Sequence, residues 1–477
     1  IIMKMKNNKT SRKNRLRKSR SKRCLSRKPT TNKISGGRMK IKRTKRFKYS
    51  RKVRKNKKLR ASCSNKFKRS KRSKRSKRSN KSKNIKGGAP KIGEGGYGCV
   101  YSPPLRCKSG RQPLSEDVSK AMTYLHANEE FIEVEQIRTA LVGASDKISD
   151  RFILPKFICE PNDIVDINDC DKPFESEYQY KLEEWKNSRD IRPKPKYLRS
   201  MSEYRSEKAR LLIQKNGGQN LTQWAEDKHT KPLIDKIELF MNLISTNLPD
   251  LLEALRYLNV DKEITHMDIK LENVVYNEED NKIRFIDFGF TSFFGTPDML
   301  NKIYNKWYDT EYYIWPLDFI IYSYYYDKSD TLSNMKSEIQ KNKWKLQDKY
   351  FKSLLKYVIN YRGQKHPINA EIEDIYGKIN GDDNDINTIR KSIYQTLDLY
   401  SLGIVLCKLL LHLYIHPNDL TTYPKTDKYG KAIEILQALL KLMTSGHYKN
   451  RNRENIEEKC RDLIAEVNKV SAGSNDS

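Results

Sequence analysis

Apolar positions begin to recur with a structural period only at Lys91. Over residues 92–101 they alternate on either side of a glycine-rich break, the pattern of a hairpin, and residues 117–122 read as a further strand. Residues 128–142 carry the 3.6-residue period of an amphipathic helix, and 151–159 and 208–214 read as two more strands. Between those strands, 160–206 is charged and contains prolines, too polar for a core, and is expected to be a surface insertion. Beyond Gly217-Gly218 the period turns helical. A long helix is predicted over 233–259, short strands flank Asn273 and Ile286, and 397–414 reads as a buried helix. A second charged, irregular insertion is expected over 323–392.

This pattern predicts an α+β, two-lobed architecture. A small β-rich lobe over 89–216 precedes a larger helical lobe over 217–470, with 471–477 as a flexible C-terminus. The longest apolar stretch, 399–415, is too short for a membrane span and contains Lys408 and His412, so a buried helix is expected there.

Residues 1–88 show no periodicity, and charge explains why. The whole chain has a formal net charge of +36, but its first 88 residues hold 40 Lys/Arg and no Asp or Glu. The remainder holds 55 Lys/Arg against 59 Asp/Glu, a net of −4. A polycationic tail is thus joined to a nearly neutral body, and self-repulsion without apolar residues predicts disorder for the tail. Lys-Arg-Ser occurs four times in succession from Lys68 to Ser79. The tail's expected partner is nucleic acid or another polyanion, with nuclear import as the competing reading. The chain opens Ile-Ile-Met, so either its start is truncated or Met3, Met5 or Met39 is the initiator; no apolar segment follows the first charges as a secretory signal would require. The eight cysteines are scattered, with no C-x-x-C pair, and are expected to be reduced thiols of an intracellular protein.

Candidate chemistry is carried by five segments. Ile92-Gly93-Glu94-Gly95-Gly96-Tyr97-Gly98-Cys99-Val100 fits G-x-G-x-x-G-x-V, whose glycines let a hairpin bring backbone N–H groups against a nucleotide's phosphates. Lys120 closes the next strand, placed to hold phosphates as a point charge. A carboxylate must orient it, and the helix that follows offers Glu129, Glu130, Glu133 and Glu135. Glu133 is favoured because Val134, Ile137 and Leu141 follow it at core-facing spacing, with Glu135 as the alternative. In Thr265-His266-Met267-Asp268-Ile269-Lys270-Leu271-Glu272-Asn273, polar residues at fixed offsets between apolar flanks allow one loop to aim Asp268, Lys270 and Asn273 at a common point. An Asp can accept a hydroxyl proton, a Lys can neutralise a phosphoryl group, and an Asn oxygen can ligate Mg²⁺. Phe285-Ile286-Asp287-Phe288-Gly289 ends an apolar strand in a carboxylate suited to the same metal. Asp398 opens the buried helix, where it can cap the helix or anchor the polar loop.

In order and over roughly residues 91–465, these segments resemble the eukaryotic-type protein kinases, most of all divergent ones encoded by large DNA viruses. The resemblance implies ATP and Mg²⁺ as cofactors, the glycine-rich hairpin and Lys120 on the nucleotide, Asp268 as catalytic base, and Asn273 and Asp287 on the metal. It also implies a nucleotide-binding hinge at 212–218. Lys270 in D-I-K-x-x-N resembles the serine/threonine branch, with protein hydroxyls as substrate, acting in the cytoplasm, nucleus or a virion. Two departures stand out. Met267 replaces the Arg that in the family grips an activation-loop phosphate, and Trp315-Pro316-Leu317-Asp318 replaces Ala-Pro-Glu, with Asp318 one place late. A small-molecule kinase of related fold is the first alternative, though those usually lack the regular hairpin and Lys270. A packaging or virion protein with an inactive kinase-like scaffold is the second, and loss of Lys120, Asp268 or Asp287 would favour it.

Overall fold

The computed structural model describes residues 89–188, 193–294, 314–328, 374, 376–377 and 386–473. The chain divides into residues 1–82 and 83–477. The basic tail, most of the second predicted insertion, and Thr296 and Thr310 of the expected activation loop lie outside the described residues.

The smaller lobe is built on a five-stranded antiparallel sheet. Its strands are β1 (Lys91–Glu94), β2 (Gly98–Tyr101), β3 (Asp117–Thr123), β4 (Phe157–Cys159) and β5 (Ala209–Lys215), in the order β1-β2-β3-β5-β4. Helix α1 (Tyr124–Ala140) follows β3 without a loop. It starts four residues before the predicted 128, and β4 occupies only the last third of the strand expected over 151–159.

Residues 160–206 depart furthest from expectation. They contain two helices, α2 (Lys172–Asn187) and α3 (Met201–Lys208), the latter capped by Ser200, whose hydroxyl accepts from the Glu203 amide at 3.2 Å. Ile167, Cys170, Phe174, Tyr178, Leu198 and Tyr204 are buried with Tyr101, Leu211 and Ile213 of the sheet. Each such aromatic or aliphatic side chain contributes about 1.5–3 kcal/mol on burial, enough to hold the segment down despite its charge. The apolar residues are sparse and irregularly spaced, which is why the segment reads as polar.

Four cysteines also correct the expectation of reduced thiols. Cys99 is bonded to Cys170 and Cys107 to Cys159, across separations of 71 and 52 residues that no local spacing motif would reveal. Cys407 and Cys460 are buried free thiols, each pushed up to about 12 by burial.

The larger lobe begins with β6 (Gln219–Asn220) and α4 (Leu221–Lys228), capped by Asn220. Helix α5 (Leu233–Arg256) places Ile237, Phe240, Ile244, Leu248, Leu251 and Leu255 along one stripe. It runs into a π-turn at Tyr257–Asp261. Next come β7 (Ile264–Thr265), β8 (Val274–Asn277), β9 (Lys282–Phe285) and β10 (Ser292–Phe293), paired as β6-β8-β9 and β10-β7. Helices α6 (Leu317–Lys328), α7 (Ile386–His412), α8 (Gly430–Met443) and α9 (Arg453–Gly473) complete it. Within α7, Thr388–His412 is long and apolar enough to cross a bilayer by composition, but 83% of its apolar window is buried against other elements. It is the core helix of this lobe, apolar on nearly all sides because α5, α6 and α8 pack around it.

Candidate active site

The glycine-rich hairpin lies at the edge of the five-stranded sheet. The Gly95 amide donates to the Gly98 carbonyl at 2.8 Å and closes the turn. A Cβ on Gly98 would stand 2.9 Å from the Ala121 carbonyl oxygen and 3.1 Å from Cγ of Lys120, so only glycine lets β2 lie this close to β3. Tyr97 at the tip meets His126 and Phe290 edge-on, at centroid distances of 5.2 and 6.1 Å. Glu94 is paired with Lys91 at 3.0 Å. Cys99 turns its sulfur into the core shared with the insertion, so it can serve a nucleotide only through its backbone.

Lys120 is registered between Val100 on β2 and Leu212 on β5. Its ammonium donates to both carboxylate oxygens of Glu130, at 2.9 and 3.2 Å, and to Oδ1 of Asp287 at 3.1 Å. Burial alone would lower its pKa, but the charges of Asp287 and Glu130 outweigh it and hold the ammonium above the ordinary lysine value. Burial pushes Asp287 the other way, yet Lys120, with Lys270 further off, keeps its carboxyl below the usual range. The partner of Lys120 is therefore Glu130, which corrects the assignment to Glu133 with Glu135 in reserve. On α1 the inward positions are Ala127, Glu130, Val134 and Ile137, so Glu130 is the charged residue standing on the apolar stripe, 5% exposed. Starting the helix at residue 128 leaves out Ala127, the first position of that stripe, so that Glu130 is not seen to continue it.

The polar loop follows β7. Asp268 is buried; its Oδ2 accepts from Lys270 Nζ at 2.9 Å and from Asn273 Nδ2 at 2.8 Å. Asn273 Nδ2 also donates to the Asp268 carbonyl at 3.0 Å. Both amide hydrogens of Asn273 thus go to Asp268, and its Oδ1 is the end suited to a cation. The Ile286 amide donates to the Asn273 carbonyl at 3.0 Å, which places Asp287 beside that loop. His266 is fixed on both edges: Nδ1 accepts from the Asp268 amide and Nε2 donates to the Ile286 carbonyl. The carboxamide oxygen of Asn273 and the carboxylate of Asp287 form a hard oxygen donor set of the kind Mg²⁺ takes, and the residues fit that ion.

Met267 and Asp287 both lie in the left-handed backbone region, at φ +66 and +64. Such conformations cost about 1–3 kcal/mol each and persist only where surroundings over-determine them. Asp398 supplies part of that restraint. Fully buried at the inner side of the loop, it accepts from the amides of His266 and Met267 at 2.8 and 3.0 Å and from Asn259 Nδ2 at 2.8 Å. Asn259 also donates to the Ile264 carbonyl, and neither it nor Trp315, which donates to the Met267 carbonyl, carries a signal readable in sequence. Asp318 pairs with Arg451 at 2.7 Å, both side chains wholly buried. At the hinge, Gly217 and Gly218 pass so close to Val275 and Tyr276 that no side chain would fit.

The lobes, the hairpin and the two carboxylate-bearing loops give a kinase-like fold. In agreement, residues 177–362 match the protein kinase domain family, a stretch that includes Asp268, Asn273 and Asp287 but begins after the glycine-rich hairpin and Lys120. A solved structure described as the crystal structure of a kinase domain aligns with 49% of this chain and 57% of its own, at 15% identity and a TM-score of 0.27. The chain thus spans little more than half the length of that structure. No curated protein matches it. The chain is a protein-kinase-like protein.

Proposed function

We propose that the protein is an active serine/threonine kinase transferring the γ-phosphoryl group of Mg-ATP to protein hydroxyls. The observation that carries this reading is the bridge from Lys120 to Glu130 and Asp287, with Asp287 seated beside the Asp268–Lys270–Asn273 loop. A non-catalytic scaffold has no need to hold a buried ammonium between two carboxylates, an arrangement that is costly unless complete. In this reading Lys120 binds the α- and β-phosphates, and the hairpin's amides cover them. Mg²⁺ held by Asn273 and Asp287 would neutralise phosphate charge. Asp268 orients the substrate hydroxyl and takes its proton, while Lys270, hydrogen-bonded to Asp268, faces the transferring group. The basic tail is proposed to bind nucleic acid or another polyanion through phosphates, since Phe47, Tyr49 and Phe67 are its only aromatics. The site of action is proposed to be intracellular or within a virion. The test is transfer of radiolabel from γ-labelled ATP to a basic protein, with Asp268→Asn as control. Serine and threonine should carry the label in the wild type, and transfer in the variant should fall by orders of magnitude.

A further inference from the structure

The glycine-rich hairpin is an edge element, and within the sheet only the β2–β3 ladder holds it. Three of four consecutive positions of the insertion, Asp169, Cys170 and Lys172, supply a second hold, on both strands. Asp169 accepts from the Tyr101 hydroxyl of β2 at 2.6 Å through Oδ1 and from Lys91 of β1 at 2.6 Å through its carbonyl. Cys170 is bonded to Cys99, the residue immediately after Gly98. Lys172 reaches Glu94 at 3.8 Å. Behind them, Arg205 on α3 donates to Asp171, and Phe174 and Tyr204 seat the segment in its own core. The grip is made on the strands that flank the glycine turn, through Cys99 and Tyr101, which alternate with Val100 and so lie on the face of the sheet opposite Lys120.

We propose that residues 169–172 form a clamp on the glycine-rich hairpin, with Asp169 and Cys170 as positioning residues for nucleotide binding and the Cys99–Cys170 bond as the covalent part of that clamp. The inference rests on the nucleotide-binding reading above and adds a thiol-dependent control to it. A turn made of Gly95 and Gly96 loses much backbone freedom when it closes on phosphates. Holding both of its strands reduces that loss before the nucleotide arrives, which is how preorganisation raises affinity. Opening the bond takes two electrons from an external dithiol, which leaves as its own disulfide, and gives each cysteine sulfur one proton. Closing it requires a thiol oxidant, so the tight-binding form belongs to a compartment or particle that supplies one. The Cys107–Cys159 bond, which joins the loop after β2 to the end of β4, links residues outside the hairpin strands and serves as internal control.

The test is calorimetric titration of the full chain with Mg-ATP, oxidised and after dithiothreitol, with mass-spectrometric mapping of alkylated cysteines in each state. The oxidised wild type should bind about tenfold more tightly than the reduced form, a difference of about 1.4 kcal/mol. Cys99→Ser/Cys170→Ser should bind like the reduced form in both states, and Cys107→Ser/Cys159→Ser should keep the redox response. Tyr101→Phe, which removes only the hydroxyl donated to Asp169, keeps the test independent of cysteine replacement. It should raise KM for ATP severalfold with kcat unchanged. Equal affinity of the oxidised wild type and the folded Cys99→Ser/Cys170→Ser variant would overturn the proposal, as would alkylation of both cysteines in the oxidised protein. Absence of ATP binding in every form would instead sink the kinase reading on which it rests.

Discussion

Trp315 donates its indole N–H to the main-chain carbonyl of Met267 at 2.9 Å, tying the segment before α6 to the residue that precedes Asp268. Around that bond Met267, Ile314, Trp315, Phe319, Tyr394 and Leu397 are buried together, with Phe290 and Phe294 packed against them. An apolar cluster thus occupies the ground where a phosphate-gripping arginine would stand. Thr291 and Ser292 are buried as well, so neither presents a hydroxyl for modification in this arrangement. Phosphatase treatment should leave the transfer rate nearly unchanged; a large fall would show that the cluster does not hold the segment by itself. Trp315→Phe, which keeps an aromatic side chain but loses the indole N–H and part of its volume, should reduce kcat at least severalfold, in line with a hydrogen bond contributing about 0.5–1.5 kcal/mol.

Glu130 and Glu133 separate two descriptions of α1. Glu130→Gln removes the charge that orients Lys120 and should lower kcat/KM by about tenfold to a hundredfold, since hydrogen bonds to charged groups contribute about 1.5–3 kcal/mol. Glu133→Gln and Glu135→Gln should change it less than twofold. Steady-state kinetics on the three variants decides the matter, and a larger effect at Glu133 would contradict the geometry.

The Asp318–Arg451 pair predicts a pH-dependent stability. Burial pushes Asp318 up to about 6 against the opposing pull of Arg451. A carboxyl raised above its unfolded value of 3.8 contributes stability that is present below that value and is lost as pH rises through about 6. Arg451→Leu removes the guanidinium that restrains the shift, so the carboxyl should rise further and the loss extend to higher pH. The variant should melt below the wild type throughout, with a larger gap at pH 8 than at pH 5, and on the order of 3–5 kcal/mol where Asp318 is charged. Thermal denaturation across that range measures it; a gap independent of pH would mean that Asp318 does not titrate there.

Much of the candidate site could be read from sequence because its residues fall in short runs with apolar flanks. The alternation around the glycines marks β1 and β2, and the offsets from Asp268 to Asn273 lie within one loop. What escaped reading depends on partners far along the chain or on a helix start. Glu130 is among the candidates, but a helix start set four residues late leaves out Ala127, which shows that Glu130 stands on the buried stripe. Cys170 is 71 residues from Cys99, and Arg451 is 133 from Asp318. The core of the insertion rests on a few apolar residues diluted among charges, whose spacing follows no single helix.

The tail prediction is electrostatic. If many of its 40 positive charges meet phosphates, binding to unrelated duplexes should weaken steeply with salt, with a log–log slope of about −0.9 per phosphate neutralised. A chain starting at Gly87 should lose that slope. Phosphorylating Ser70, Ser73, Ser76 and Ser79 should flatten it in part, each phosphate adding about −1.5 to −2 charge. Equal, weak binding by the full and shortened chains would leave the tail without a role in nucleic-acid binding.

The central claim, that Lys120, Asp268 and Asp287 form a working phosphoryl-transfer site, is tested most directly by single-turnover transfer from γ-labelled Mg-ATP to a basic protein. Wild type, Asp268→Asn and Lys120→Met should be compared at matched folding. The account predicts label on serine and threonine for the wild type and a loss of orders of magnitude in each variant. Full activity in Asp268→Asn, or none in a folded wild type that binds Mg-ATP, would contradict it.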